Sequence, residues 1–141
     1  MFTDVAPEQL AFLRIADGGK CSIDTINKNA SETGWMVHGG DVVTVGGWVL
    51  DMESKTTSEW AVLRLDPSDG SGPFYFATRW REGRPDLTQA FGAGPGVSTA
   101  MFILTASTDS LPDGSYALTV LHESKAGGQI CRVPKILNVM R

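Results

Sequence analysis

The stretch Trp60-Ala61-Val62-Leu63-Arg64-Leu65, closed by Asp66-Pro67-Ser68-Asp69-Gly70-Ser71-Gly72, decides the fold class. In an extended chain Ala61, Leu63 and Leu65 fall on one face and Trp60, Val62 and Arg64 on the other, the period-two pattern of a strand with one face in a core. The residues that follow favour the turn conformations that β-branched side chains resist. The same texture recurs outward from here. Strands are expected near Cys21 to Ile26, Met36 to Val37, Val42 to Leu50, Trp60 to Leu65, Phe74 to Trp80, Ala100 to Ala106, Tyr116 to His122 and Ile130 to Val139. Gly39-Gly40-Asp41, Pro112-Asp113-Gly114 and Ala126-Gly127-Gly128 punctuate them. About seven or eight strands at this spacing predict an all-β antiparallel sandwich or a small barrel.

Individual strands carry positional signals. Tyr116 to His122 is apolar on both faces (Tyr116, Leu118 and Val120 against Ala117 and Leu121), which suits a central strand. Pro134 interrupts the last run and predicts an edge position or a bulge. Two segments depart from the strand texture. Pro7 followed by Glu8 to Ala16 and Gly18-Gly19 predicts one or two helical turns, so residues 1–19 read as an N-terminal preamble and 20–141 as the sandwich domain. The Gly- and Pro-rich stretch Arg81 to Gly96 contains Arg84-Pro85-Asp86-Leu87-Thr88-Gln89-Ala90-Phe91, which predicts a short helical crossover capped by Gly92.

Composition narrows the function classes. The chain has 141 residues, 42% hydrophobic and 20% charged, room for one folded unit with its own core. With 12 Lys and Arg against 16 Asp and Glu the net charge is −4, the wrong sign for tracking a phosphate backbone, so nucleic acid is not an expected partner. The longest apolar run, Ala100 to Leu104, is far shorter than the about 20 residues of a spanning helix, so no membrane span is expected. Met1 to Gly19 has no basic residue before Arg14 and no continuous apolar run, and does not read as a secretory signal. An exported protein would already have lost its signal.

Catalytic chemistry has little to build on. His38 and His122 are the only groups that titrate near neutrality, and no Gly-x-Ser-x-Gly elbow, His-Glu-x-x-His pair or phosphate-cradling loop occurs. Neither enzyme activity, nor a cofactor, nor a metal site is expected. Asp66 and Asp69 beside Gly-Ser-Gly could turn oxygens toward a cation, but their spacing is not that of a calcium loop and a solvated hairpin is the plainer reading. Cys21 and Cys131 lie in the first and last expected strands, which often run near one another, so a disulfide is geometrically open; two buried thiols are the alternative. No C-x-x-C motif or third sulfur ligand accompanies them.

Aromatic residues leave two binding modes open. Trp60 and Trp80 share strand faces with polar neighbours, Arg64 and Thr78 respectively, and with Tyr75 they are candidates for a sugar-stacking surface. Trp48 is expected to fill the inter-sheet core. The competing mode is protein docking through a sheet face or an edge strand.

An ordered set of short motifs runs along the chain: Ile23-Asp24-Thr25-Ile26-Asn27, Gly47-Trp48-Val49-Leu50-Asp51, Arg84-Pro85-Asp86-Leu87, Ala100-Met101-Phe102 and Leu111-Pro112-Asp113-Gly114-Ser115-Tyr116. Together these resemble a bacterial β-sandwich module found beside glycosyltransferase and methyltransferase domains in polysaccharide biosynthesis proteins. Its corresponding strings are I-D-x-x-N, G-W-A-x-D, R-P-D-V, a G-F pair, and Leu before P-G and an aromatic or His. The chain departs from them at Val49 and Leu50, Leu87, Met101 and the inserted Asp113. The resemblance spans roughly Cys21 to Val139. It implies an Ig-like accessory domain without catalytic residues, partnered by a glycan or a protein. Periplasmic, secreted or cell-surface location is then favoured over cytoplasmic. Trp48, Asp51, Arg84, Pro85 and Asp86 would be its structural motif residues, with Arg84 and Asp86 clamping the crossover.

Overall fold

Ala61, Leu63 and Leu65 do face inward, in a strand covering Ala61–Pro67, and they meet a second sheet across the core. The computed structural model describes residues 2–10, 15–18, 20–50, 60–78, 81–82, 101–124 and 127–141. Among them the protein is all-β apart from one 3-10 turn at Glu8–Leu10. The strands are β1 (Ile15–Asp17), β2 (Lys20–Ile26), β3 (Asn29–Ala30), β4 (Gly34–His38), β5 (Val42–Leu50) and β6 (Ala61–Pro67). They continue with β7 (Phe74–Thr78), β8 (Arg81–Glu82), β9 (Met101–Ser107), β10 (Gly114–Ser124) and β11 (Gly127–Met140).

Two mostly antiparallel sheets pack face to face. One has the order β1-β11-β10-β6-β7, with β4 also on β11; the other has β3-β2-β5-β9-β8. Tyr116, Leu118, Val120, Leu137 and Val139 from the first sheet interlock with Ile23, Val43, Val45, Phe102 and Leu104 from the second. Burying such side chains contributes about 1.5 to 3 kcal/mol each. As expected, β10 is central, flanked by β6 and β11.

The chain changes sheets early. Asn27 and Lys28 both have positive φ, 53° and 66°, and form the two-residue turn joining β2 to β3. Asn27 fixes this turn to β5, since its Oδ1 accepts from Thr44 N–H at 2.9 Å. From β3 the chain crosses to the other sheet as β4, parallel to β11. Only glycine fits where β4 begins: Gly34 has φ +144°, and a Cβ there would lie 2.0 Å from the Ile136 carbonyl oxygen.

Pro134 sits in a bulge. Ala117 pairs with Ile136 and Leu118 with Val133, leaving Pro134 and Lys135 as extra residues on β11, where a residue without an N–H costs no ladder bond. Inserting two residues preserves parity, so Val133, Leu137 and Val139 all stay buried.

The N-terminal region differs from the expected helical preamble. Helical geometry is limited to Glu8–Leu10, and Ile15–Asp17 is a strand parallel to β11. Phe2 is buried in the main core, its ring edge-on to Phe76 at 5.8 Å. An apolar anchor inserted between the sheets holds this segment more firmly than helix propensity would. The expected crossover, Arg84 to Phe91, lies outside the described residues, as do Asp51 and Trp80.

Candidate functional site

The aromatic residues do not assemble into an open stacking platform among the described residues. Trp60 is only 9% exposed, packed with Val62, Leu121 and Ile130 in a second apolar cluster on the outer face of the β10–β6 sheet. Leu10, Tyr75 and Ala77 pack against that cluster, so the N-terminal segment helps to close the face on which sugar stacking was expected. On the same face Arg64 is tied to Asp66, Nε to Oδ2 at 3.2 Å. Trp80, its expected companion, and the motif residues Asp51, Arg84, Pro85 and Asp86 fall outside the described residues.

Trp48 does not anchor the core. On β5 the inward positions are Val43, Val45 and Val49, and Trp48 has the opposite parity, half-buried on the outer face across from Ser22 of β2. Nearby on that face the Thr44 and Thr105 hydroxyls are 3.2 Å apart, and Ser22 Oγ donates to Asp24 at 2.9 Å.

Cys21 on β2 and Cys131 on β11 form a disulfide that joins the two sheets, with Cα atoms 6.1 Å apart. At the opposite end of the first sheet the loops are tied by side chains. Tyr116 O–H donates to the carbonyl of Pro112, four residues upstream. Burial pushes its phenol pKa up, and the nearby negative charge of Asp69 adds to this, so it remains a donor at neutral pH. Arg141 donates to Leu111 O at 2.8 Å, to Asp113 Oδ1 at 2.9 Å and to Asp109 O at 3.0 Å. The hydroxyl and N–H of Ser71 both donate to Asp69 and lower its carboxyl pKa below the usual range. Asp69 therefore closes its own turn while Asp66 faces Arg64, and the two do not converge on a cation site. The two histidines also stay apart: His38 is level with Met140 and His122 with Gln129, about 30 Å apart by strand rise.

What remains open is an edge. In the first sheet the β7 edge is bridged by Thr3, whose N–H and C=O bond Tyr75 at 3.0 and 2.7 Å. In the second sheet β3 and β8 span two residues each. The β2 edge carbonyl of Ile23 is taken by Lys135 Nζ at 2.7 Å. That ammonium also lies 5.3 Å from the centre of the Trp35 ring. Short strands, covering segments and an edge lysine are the usual ways of blunting a sheet edge. By contrast, β4 spans five residues and has neither a covering segment nor an edge charge among the described residues. Trp35 and Val37 anchor it in the core, and the Trp35 indole N–H donates to Asn29 O at 2.7 Å. Its outward side chains adjoin a bare apolar strip in which Met36 is 69% exposed, Met140 54% and Ile136 40%. The sequence signal for this strip was Met36 alternating with buried Trp35 and Val37.

Among the described residues these features define a class: an all-β domain of two packed sheets, joined at one end by a disulfide and with the edge of β4 uncovered. No protein-family model matches the chain, and no curated protein is similar to it. No helix among the described residues is long and apolar enough to cross a membrane.

Proposed function

We propose that the chain is a non-catalytic, Ig-like accessory module that docks another polypeptide as an extended strand on the β4 edge. The open edge of β4 beside Met36, Ile136 and Met140 carries this reading, because unpaired backbone groups and a neighbouring apolar strip are what strand addition uses. The Ig-like assignment is supported by strand order. An early strand pair divided between the sheets, β2 on β5 and β4 parallel to β11, with β11-β10-β6-β7 running on, is a Greek-key arrangement. Tyr116 bonding back to Pro112 at the start of β10 is a tyrosine corner. The Cys21–Cys131 disulfide fits a periplasmic, secreted or cell-surface setting. An accessory place beside polysaccharide-synthesising enzymes follows from the motif resemblance.

A photocrosslinking residue in place of Met36 is expected to give a discrete protein adduct in the native host. The same residue in place of Val42, an exposed apolar position on the other sheet, is expected to give none. Absence of an adduct at position 36 overturns the docking reading. Carbohydrate binding is the second reading, favoured by the placement of Trp48 on an outer face across from Ser22, with Thr44 and Thr105 further along the same face. Saccharide titrations that shift the Trp48 indole resonance would establish it in place of docking.

A further inference from the structure

We infer that the strand received by β4 is β4 of a second copy, paired antiparallel about a two-fold axis at Met36; this rests on the docking reading above. Thr33 O and Gly39 N–H point toward β11, where they bond Ile136 N–H at 3.1 Å and Met140 O at 2.8 Å. By alternation Gly34, Met36 and His38 direct their backbone groups to the open edge. Of these, Gly34 N–H is held by Ser31 Oγ at 3.0 Å and His38 O by Asp41 N–H at 3.1 Å. Among the described residues nothing bonds Gly34 C=O, either group of Met36 or His38 N–H, and these remain for a partner.

That set is complementary to itself. About a two-fold axis, Met36 N–H and C=O bond their counterparts in the second copy, and each His38 N–H meets the other copy's Gly34 C=O. All four edge groups are then satisfied in both chains. Charge also favours this edge as the place where two copies approach. The chain carries a net charge of −4, yet residues 33–40, Thr-Gly-Trp-Met-Val-His-Gly-Gly, contain no carboxylate and no lysine. Pairing sets no like charges opposite one another along the seam. On the outer face it brings the two Met36 side chains together and makes one apolar strip with Ile136 and Met140. Beside that strip lies a depression lined by Met36, Val37, His38, Met140 and Arg141. The two six-stranded sheets become one continuous sheet across the dimer.

Sedimentation velocity from micromolar to millimolar concentration tests this, together with amide hydrogen exchange on the unmodified chain. The expected result is a concentration-dependent dimer in which exchange at Met36 and His38 slows as the dimer forms. Met36→Lys sets two ammonium groups opposite each other and is expected to raise the dimer dissociation constant by about tenfold or more. Val42→Lys makes the same charge change at an exposed site on the other sheet and is expected to leave the constant unchanged. An unmodified chain that stays monomeric, with Met36 and His38 exchange independent of concentration, overturns the self-pairing. So does equal weakening by Val42→Lys. Either result leaves the docking reading standing on a crosslink from position 36 to a different protein. An adduct between two copies of this chain supports the dimer.

Discussion

Up to Val133, β11 runs between β10 and the short parallel strand β1, with Cys131 bonded to Cys21 and Ile130 covered by Trp60, Val62 and Leu121. Past Lys135 it runs between β10 and β4 and sends Ile136 and Met140 into solvent. Ile130 and Ile136 lie on the same outer face of one strand, 9% and 40% exposed respectively. On the inner face both halves contribute to the core, with Val133 from the first and Leu137 and Val139 from the second. What differs is whether the chain supplies its own cover: Ile130 lies in a cluster against which Leu10 of the N-terminal segment packs, whereas Ile136 belongs to no buried cluster among the described residues. Half of the strand is covered on both faces, and the other half is covered on its inner face and exposed on its outer one.

The contrast is broken most strongly at the disulfide. Replacing Cys21 and Cys131 together by Ala is expected to destabilise the fold by about 4 to 5 kcal/mol, since the bond closes a long loop. Thermal or denaturant unfolding measures this, and a loss under 1 kcal/mol would show that the bond restrains little. On the second half, Leu137→Ala removes a side chain only 1% exposed and is expected to cost about 2 to 5 kcal/mol. At the hinge between the halves, Lys135→Met loses the bond to Ile23 O and is expected to cost about 1 to 2 kcal/mol. The smallest change should come from Ile136→Ser, within about 0.5 kcal/mol of the unaltered chain, because its side chain already faces water. A large loss there would mean that the strip is structural, and the contrast between the halves would fail.

Much of the fold was legible because alternation is a local property. Val42–Leu50 and the inward set Ala61, Leu63 and Leu65 could be read directly from residue order. At Pro134 one missing N–H left an edge position or a bulge, and the structure has the bulge. The same alternation, applied to β5, would have put Trp48 with Thr44 and away from Val43, Val45 and Val49; ring size suggested a core anchor, but parity decided otherwise. Trp60 could not have been placed this way. Its neighbours along β6 gave it a mixed face, and it is buried in a cluster with Leu121 and Ile130, sixty and more residues later in the sequence. Strand β1 was hidden for a similar reason, since a three-residue strand is fixed by its partner β11 and not by its own pattern. The open edge depends on pairing partners, which residue order does not reveal.

The Cys21–Cys131 bond has a mechanical consequence. A pull applied at Met1 and Arg141 passes from one sulfur to the other, so the residues between the cysteines, which lie 110 positions apart, carry no load. Only the segments outside the bond can be drawn out, to a combined length of about 100 Å, against nearly 500 Å for the whole chain. Under tension the sandwich becomes a short, inextensible link, and reducing one covalent bond would turn it into a long tether.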